Sequence, residues 1–290
     1  MDRFKATLPI SSMDGLAMDE ASARAFGENL SGNYCFAEPF PHIVIDDILP
    51  AELAERVLAG FPNEANAGDK RFEIGYTGLH KRQVYPGHCT SANRDLFAFF
   101  NSAPVLQFLE GLTSIQGLVA DPYFDGGGFH EIGAGGRLGI HADFRINERL
   151  HLHRRLNLLI YLNKDWRAEW GGELELWDRG MKAKARSVAP LFNRCVIFNT
   201  DATSYHGHPD PLACPERVTR KSIALYYYTA SQRVYEDVPA VSTMFRARPI
   251  DEAAVHAEAR RDRMANYVKD WFPPVALRAL RRARDVIRKR

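Results

Sequence analysis

Apolar residues are spaced differently in successive parts of the chain. Residues 1–38 are polar and weakly periodic, with one short helix predicted at 18–29 (MDEASARAFGEN). From Phe40 the pattern sharpens. HIVIDDIL is a β-rich run, Pro50 stands where a helix begins, and AELAERVLAGF repeats its apolar residues at helical spacing. Gly, Asn and charge dominate 63–90, which predicts a long surface loop with some strand character, and a second helix is expected over 93–113.

Between about 119 and 230 the pattern changes to short β-branched and aromatic runs punctuated by Gly, Pro and Asp: RLGIHADF, RRLNLLIYLN, GGELELWD, SVAPLFNRCVIFNT and RKSIALYYYT. Several short strands at this spacing predict a barrel or sandwich. Helical spacing returns in IDEAAVHAEARRDRMANYVKDWF and, after the Pro273-Pro274 break, in VALRALRRARDVIRKR. The expected organisation is an extension at 1–38, a mainly β domain with flanking helices (α+β) at 39–232, and a helical tail at 233–290.

Composition narrows the class without choosing a function. An apolar share of 46% supports a folded, enzyme-sized core. The formal net charge of +2 hides an asymmetry, because 275–290 carries Arg278, Arg281, Arg282, Arg284, Arg288, Lys289 and Arg290 against Asp285 alone. The rest of the chain is slightly acidic, so a nucleic-acid-binding body is not expected, and any attraction to an anionic membrane surface is confined to the tail 274–290. Cys35, Cys89, Cys195 and Cys214 form no CxxC pair and read as reduced thiols. With no apolar leader and no apolar run long enough to span a bilayer, a cytoplasmic location is expected.

The candidate chemistry lies in the β-rich part. In RLGIHADF, His141 and Asp143 are two residues apart in a predicted strand, so both project from one face at about 7 Å Cα separation. A lone H-x-D recurs by chance, and this one gains weight from residues further along the chain. His206 in SYHGHPD, after the apolar run CVIFNT, offers a third ligand; His208 competes with it, and His206 ranks first because it lies nearer the preceding strand. Two imidazoles and one carboxylate leave metal positions open, as non-haem iron oxygenases require. The same set also serves zinc in a hydrolase with an open water position.

Downstream, Arg220 and Ser222 share one face at the start of an apolar strand. A planar guanidinium with a neighbouring hydroxyl suits the distal carboxylate of a 2-oxo diacid whose other end chelates the metal. Tyr161 is the polar handle of RRLNLLIYLN, with Asn157 four residues earlier on the same face, and both are candidates for the same co-substrate. Phe124, Phe129, Arg137, Trp170 and Trp177 are candidate pocket-border residues.

In order and spacing, HADF, RRLNLLIYLNKDW, GGELELWD, APLFNRCVIF, SYHG and TRKSIALYYYT resemble the 2-oxoglutarate and iron(II)-dependent dioxygenases, on their prolyl-hydroxylase-like branch. The resemblance covers about a third of the chain, 137–228. It implies a double-stranded β-helix, a cupin-like jelly roll, with Fe(II) at His141, Asp143 and His206, and with 2-oxoglutarate held by Arg220 and assisted by Tyr161. O2 would be the second co-substrate, ascorbate a supporting reductant, and a small molecule, peptidyl side chain or glycan the substrate. Asp143 stands where related halogenases have a small residue, which favours hydroxylation. Two features depart from the branch: His130 and Glu131 occupy the region where a tyrosine commonly precedes the H-x-D, and the segment between His206 and Arg220 is longer than in many relatives. A jelly-roll binding module without catalysis is the non-enzymatic alternative.

Overall fold

The strands that carry the site have both faces buried, which explains why their sequences read as nearly continuous apolar runs. The computed structural model describes residues 4–64, 66, 68–230 and 242–271. In chain order the elements are β1 (Phe4–Lys5), β2 (Ile10–Ser12), β3 (Ala17–Met18), α1 (Glu20–Cys35), β4 (His42–Asp46), α2 (Ala51–Ala59), β5 (Lys70–Phe72), β6 (Leu79–Val84), α3 (Ser91–Phe100) and α4 (Ala103–Thr113). After α4 come β7 (Leu118–Ala120), β8 (Gly128–Ala142), β9 (Ile146–Asn147), β10 (Leu152–Tyr161), β11 (Leu174–Trp177), β12 (Lys184–Val188), β13 (Cys195–Asn199), β14 (His206–His208), β15 (Arg220–Thr229), β16 (Met244–Phe245) and α5 (Ala253–Trp271).

The strand order β1-β4-β13-β10-β15-β8-β14-β11-β12 curls into a double-stranded β-helix. Its pivot is β8. Residues 128–132 of this strand pair with β15, and its far end pairs with β14 and β16, so one strand serves both walls of the roll. The change of wall falls at a glycine-rich stretch where Gly135 has a φ of 70°, a conformation that glycine reaches without strain.

Alternation then sorts the side chains. On β10, β13 and β15, Leu156, Leu158, Ile160, Cys195, Ile197, Ile223, Leu225 and Tyr227 face outward into the core shared with the helices. Tyr161, Val196 and Phe198 face inward, against Val44, Leu174, Leu176 and Val188 of the roll. The helical layer is tight where α1 crosses α4: a Cβ on Gly27 would lie 2.2 Å from the Phe108 carbonyl oxygen, and one on Gly111 would lie 2.5 Å from that of Arg24. The N-terminal residues thus pack on the same core, and β1 pairs in parallel with β4.

Two features differ from the sequence reading. The helix expected over 93–113 is two, α3 and α4, because the extended Ser102 caps a new N-terminus with Pro104 in its first turn, where the N–H that proline lacks has no helical partner to lose. The loop expected at 63–90 contains the hairpin β5–β6, and β6 extends the sheet along β8. The basic tail 274–290 and its expected membrane contact lie outside the described residues. Among the described residues, no helix is long and apolar enough to cross a membrane.

Candidate metal and co-substrate site

The end of β8 and the start of β14 are hydrogen-bonded neighbours, with His141 directly opposite His206. This pairing, together with the H-x-D spacing, brings His141, Asp143 and His206 together, their ligand atoms within 4.8 Å of one another. The Nε2 atoms of His141 and His206 lie 3.6 and 3.4 Å from the two Asp143 oxygens. The Nδ1 atom of each ring donates to a carbonyl two residues earlier, Gly139 for His141 (2.8 Å) and Ser204 for His206 (2.9 Å). That fixes the tautomer and leaves both Nε2 lone pairs facing the carboxylate, the geometry a bound cation needs. Phe245 packs on His141 at 5.1 Å between ring centroids and Phe198 on His206 at 4.6 Å, which holds the imidazoles in place. The donor set fits Fe(II).

Asp143 is itself held. Asn157 Nδ2 donates to Asp143 Oδ2 at 2.7 Å, and Arg154 Nη2 approaches the same oxygen at 3.1 Å. Burial opposes ionisation of this carboxyl, but Arg154 and the two histidines more than offset it, keeping its pKa well below the usual carboxylate range. Arg154, 1% exposed, also donates through Nε and Nη2 to Asn157 Oδ1 and stacks on Tyr226 at 3.5 Å. Asn157, expected beside the co-substrate, therefore has both ends of its amide engaged in the Asp143–Arg154 pair.

A cavity of about 360 Å³ opens from these ligands into the roll, and Tyr161, Arg220, Ser222 and Asn157 all line it. Arg220, 5% exposed, donates through Nε to the Gly172 carbonyl at 2.7 Å and through Nη2 to the Tyr161 hydroxyl at 3.2 Å; its Nη1 has no partner among the described residues. Gly172 has a φ of 75°, and a Cβ there would lie 2.5 Å from Leu212 Cδ2, so glycine is what lets the carbonyl reach the guanidinium. Ser222 faces Tyr161 across the β10–β15 pair. Burial raises the Tyr161 pKa while Arg220 lowers it, and the net shift is upward, so the phenol keeps its proton as a donor at neutral pH.

Of the two residues that depart from the branch, His130 lines the cavity and donates through Nε2 to the Gly126 carbonyl at 2.9 Å. Glu131 points to the other face, where it pairs with Arg82, Thr219 and Lys221. None of the five expected pocket-border residues lines this cavity. Phe129 is opposite in parity to His130 and packs in the outer core, Phe124 borders a separate cavity, and Trp170 and Trp177 belong to smaller clusters elsewhere in the fold. Among the basic residues of the lining, Arg154 and Lys81 had no role in the sequence reading, and His208 figured there only as the competitor of His206.

Comparison with known proteins agrees with this geometry. Residues 127–228 match the family model of the 2OG-Fe(II) oxygenase superfamily. Egl nine homolog 1 is 33% identical over 81 residues, 28% of this chain; the match spans 22% of the Rattus norvegicus protein and 18% of the Homo sapiens protein. Among solved structures, a Pseudomonas putida prolyl-4-hydroxylase is similar with a TM-score of 0.50 at 16% identity, covering 72% of this chain and 100% of that one. A Trichoplax adhaerens prolyl hydroxylase, solved with a hypoxia-inducible-factor peptide fragment, has a TM-score of 0.49 at 16% identity, covering 74% of this chain and 95% of that one. The segment belongs to the 2OG-Fe(II) oxygenase superfamily, whose members use Fe(II), 2-oxoglutarate and O2. The chain carries this segment in a double-stranded β-helix, the fold of the Pseudomonas putida prolyl-4-hydroxylase.

Proposed function

We propose that this protein is a 2-oxoglutarate-dependent non-haem iron oxygenase that hydroxylates an unactivated C–H bond of its substrate, converting 2-oxoglutarate and O2 to succinate and CO2, with the metal at His141, Asp143 and His206. The observation that carries this reading is the presence, in one cavity, of the three-ligand cluster and the buried Arg220 guanidinium held by Gly172 and Tyr161. Bound Fe(II), 2-oxoglutarate and O2 supply the oxidising chemistry. The chain contributes the imidazole and carboxylate donors, and orients the co-substrate through Arg220, Tyr161 and Ser222. It also lines the pocket mainly with apolar surface, which disfavours water beside the reacting groups. A carboxylate at Asp143, rather than a small side chain, fills the position that a halide would need, which supports hydroxylation.

Anaerobic addition of Fe(II) and then 2-oxoglutarate should produce the weak visible charge-transfer band of the chelate, and admission of O2 should yield succinate. His141→Ala and Asp143→Ala should abolish both. Arg220→Met should raise the 2-oxoglutarate requirement roughly 10- to 100-fold, the loss expected for a buried charge-assisted pair. Turnover that needs zinc and proceeds without O2 would replace this reading with hydrolysis; metal binding with neither band nor succinate would leave a binding module.

A further inference from the structure

The cavity holds more positive charge than the metal ligands and the co-substrate account for. Arg154 is matched by Asp143, and Arg220 is assigned to the distal carboxylate of 2-oxoglutarate. Lys81 has no such counterpart. It lies on β6 opposite Ile132 of β8, and Arg220 lies opposite the same Ile132 from the other side. Two strand spacings, about 10 Å, therefore separate the two backbones, and both side chains enter one cavity. The Lys81 ammonium rests over the Phe72 ring at 5.0 Å and makes no ion pair or hydrogen bond among the described residues. Its pKa is lowered to about 8, by burial first and then by Arg220 and Arg154.

His208 provides an independent observation. It enters from the opposite wall, is 3% exposed, and neither ring nitrogen has a hydrogen-bond partner among the described residues although both are buried. Arg220 and Lys81 are the cations that most affect it. A buried imidazole without partners is unfavourable unless something else in the cavity bonds to it. The remaining acid of the lining, Asp262, enters from α5 and accepts from Asn266 Nδ2 at 3.1 Å.

We propose that the substrate carries an oxyanion, a carboxylate or phosphate ester, that seats against Lys81 and His208 beside the bound co-substrate. This rests on the assignment of Arg220 to 2-oxoglutarate. Lys81 supplies the charge and up to three N–H donors, and His208 one more donor, enough to fix one end of a small anion while its other end extends toward the metal.

The test uses the full chain loaded anaerobically with Fe(II) and saturating 2-oxoglutarate, and titrated with acetate, its neutral isostere acetamide, and inorganic phosphate. The charge-transfer and circular-dichroism bands are followed. Acetate or phosphate should perturb the bands saturably, and acetamide should not. Lys81→Met should weaken the anion response about 10-fold or more while 2-oxoglutarate affinity changes less than about 3-fold, and Lys81→Arg should restore it. The tighter of the two anions identifies the oxyanion. Equal responses to acetate and acetamide, no response to either anion, or an unchanged response in Lys81→Met would overturn the proposal. So would a loss of 2-oxoglutarate affinity in Lys81→Met matching that in Arg220→Met, since Lys81 would then belong to the co-substrate site. Failure of the band to form in the wild type is a different result: it removes the co-substrate reading and this inference with it.

Discussion

The Asp143 carboxylate is the most constrained ligand of the cluster, because one of its oxygens already receives Asn157 and Arg154. Partners behind a ligand set its orientation, and their removal typically weakens metal binding 10- to 100-fold. Asn157→Leu should therefore lower Mn(II) affinity by roughly that factor, measured by electron paramagnetic resonance of the free ion. In the metal-loaded variant, 2-oxoglutarate affinity should change less than about 3-fold, because the amide turns toward Asp143 rather than the co-substrate. The opposite pattern, metal affinity intact and 2-oxoglutarate affinity lost, would return Asn157 to the co-substrate contacts. His141, Asp143, His206, Arg220 and Tyr161 were all readable from the sequence, since each stands at an even spacing on a strand or beside its end. Arg154 was not. Arg155 is bulged from the β10–β15 register between Arg154 and Leu156, so Arg154 joins the inward face of Asn157 and Tyr161 despite its even number, and strict alternation assigns it to the wrong side.

At the scale of elements, the site depends on how closely β14 approaches β8. A Cβ on Gly207 would lie 2.6 Å from the Gly139 carbonyl oxygen and 2.8 Å from that of Leu138, and backbone on the facing strand cannot swing aside as a side chain can. Gly207→Ala should push β14 away and move His206 relative to His141. The expected result is a loss of about 1–3 kcal/mol of stability in urea denaturation, from overpacking, with roughly a 10-fold loss of Mn(II) affinity. Gly32→Ala is the matched control: it lies within α1, nothing stands within 4 Å of its added Cβ, and it should be neutral or slightly stabilising, with metal affinity unchanged. A Gly207→Ala protein that binds metal as the wild type does would show that the strands can separate without disturbing the ligands. The strand runs of the roll were legible because their two buried faces make them apolar throughout. The glycine contacts and the crossing of β8 between walls were not, since both depend on which strands become neighbours after folding.

Across the whole molecule, the fold gathers Lys81, Arg154 and Arg220 around one cavity, and that arrangement links stability to pH. Burial and the guanidiniums on β15 and β10 disfavour the charged form of Lys81 more strongly than Asp143, just past the end of β8, favours it. His130 and His208, which share the cavity, have pKa values pushed well below the ordinary 6.5, by burial first, and so remain neutral across the relevant range. The folded pKa of Lys81 is about 8 against an ordinary 10.5, so between these values the unfolded chain binds the extra proton. Stability from this residue therefore rises with pH through that window and levels off above it. Buried thiols act in the opposite direction: Cys89 is pushed up to about 11 by burial, so the unfolded chain loses that proton first and total stability falls as the solution becomes alkaline. Only the difference between proteins isolates Lys81. In metal-free urea denaturation at pH 7, 8, 9 and 10, Lys81→Met should be the more stable at pH 7, and its advantage over the wild type should shrink steadily as pH rises. A constant difference would mean that the ammonium is as well solvated folded as unfolded, and the cavity would then have no unmatched cation to offer a substrate anion.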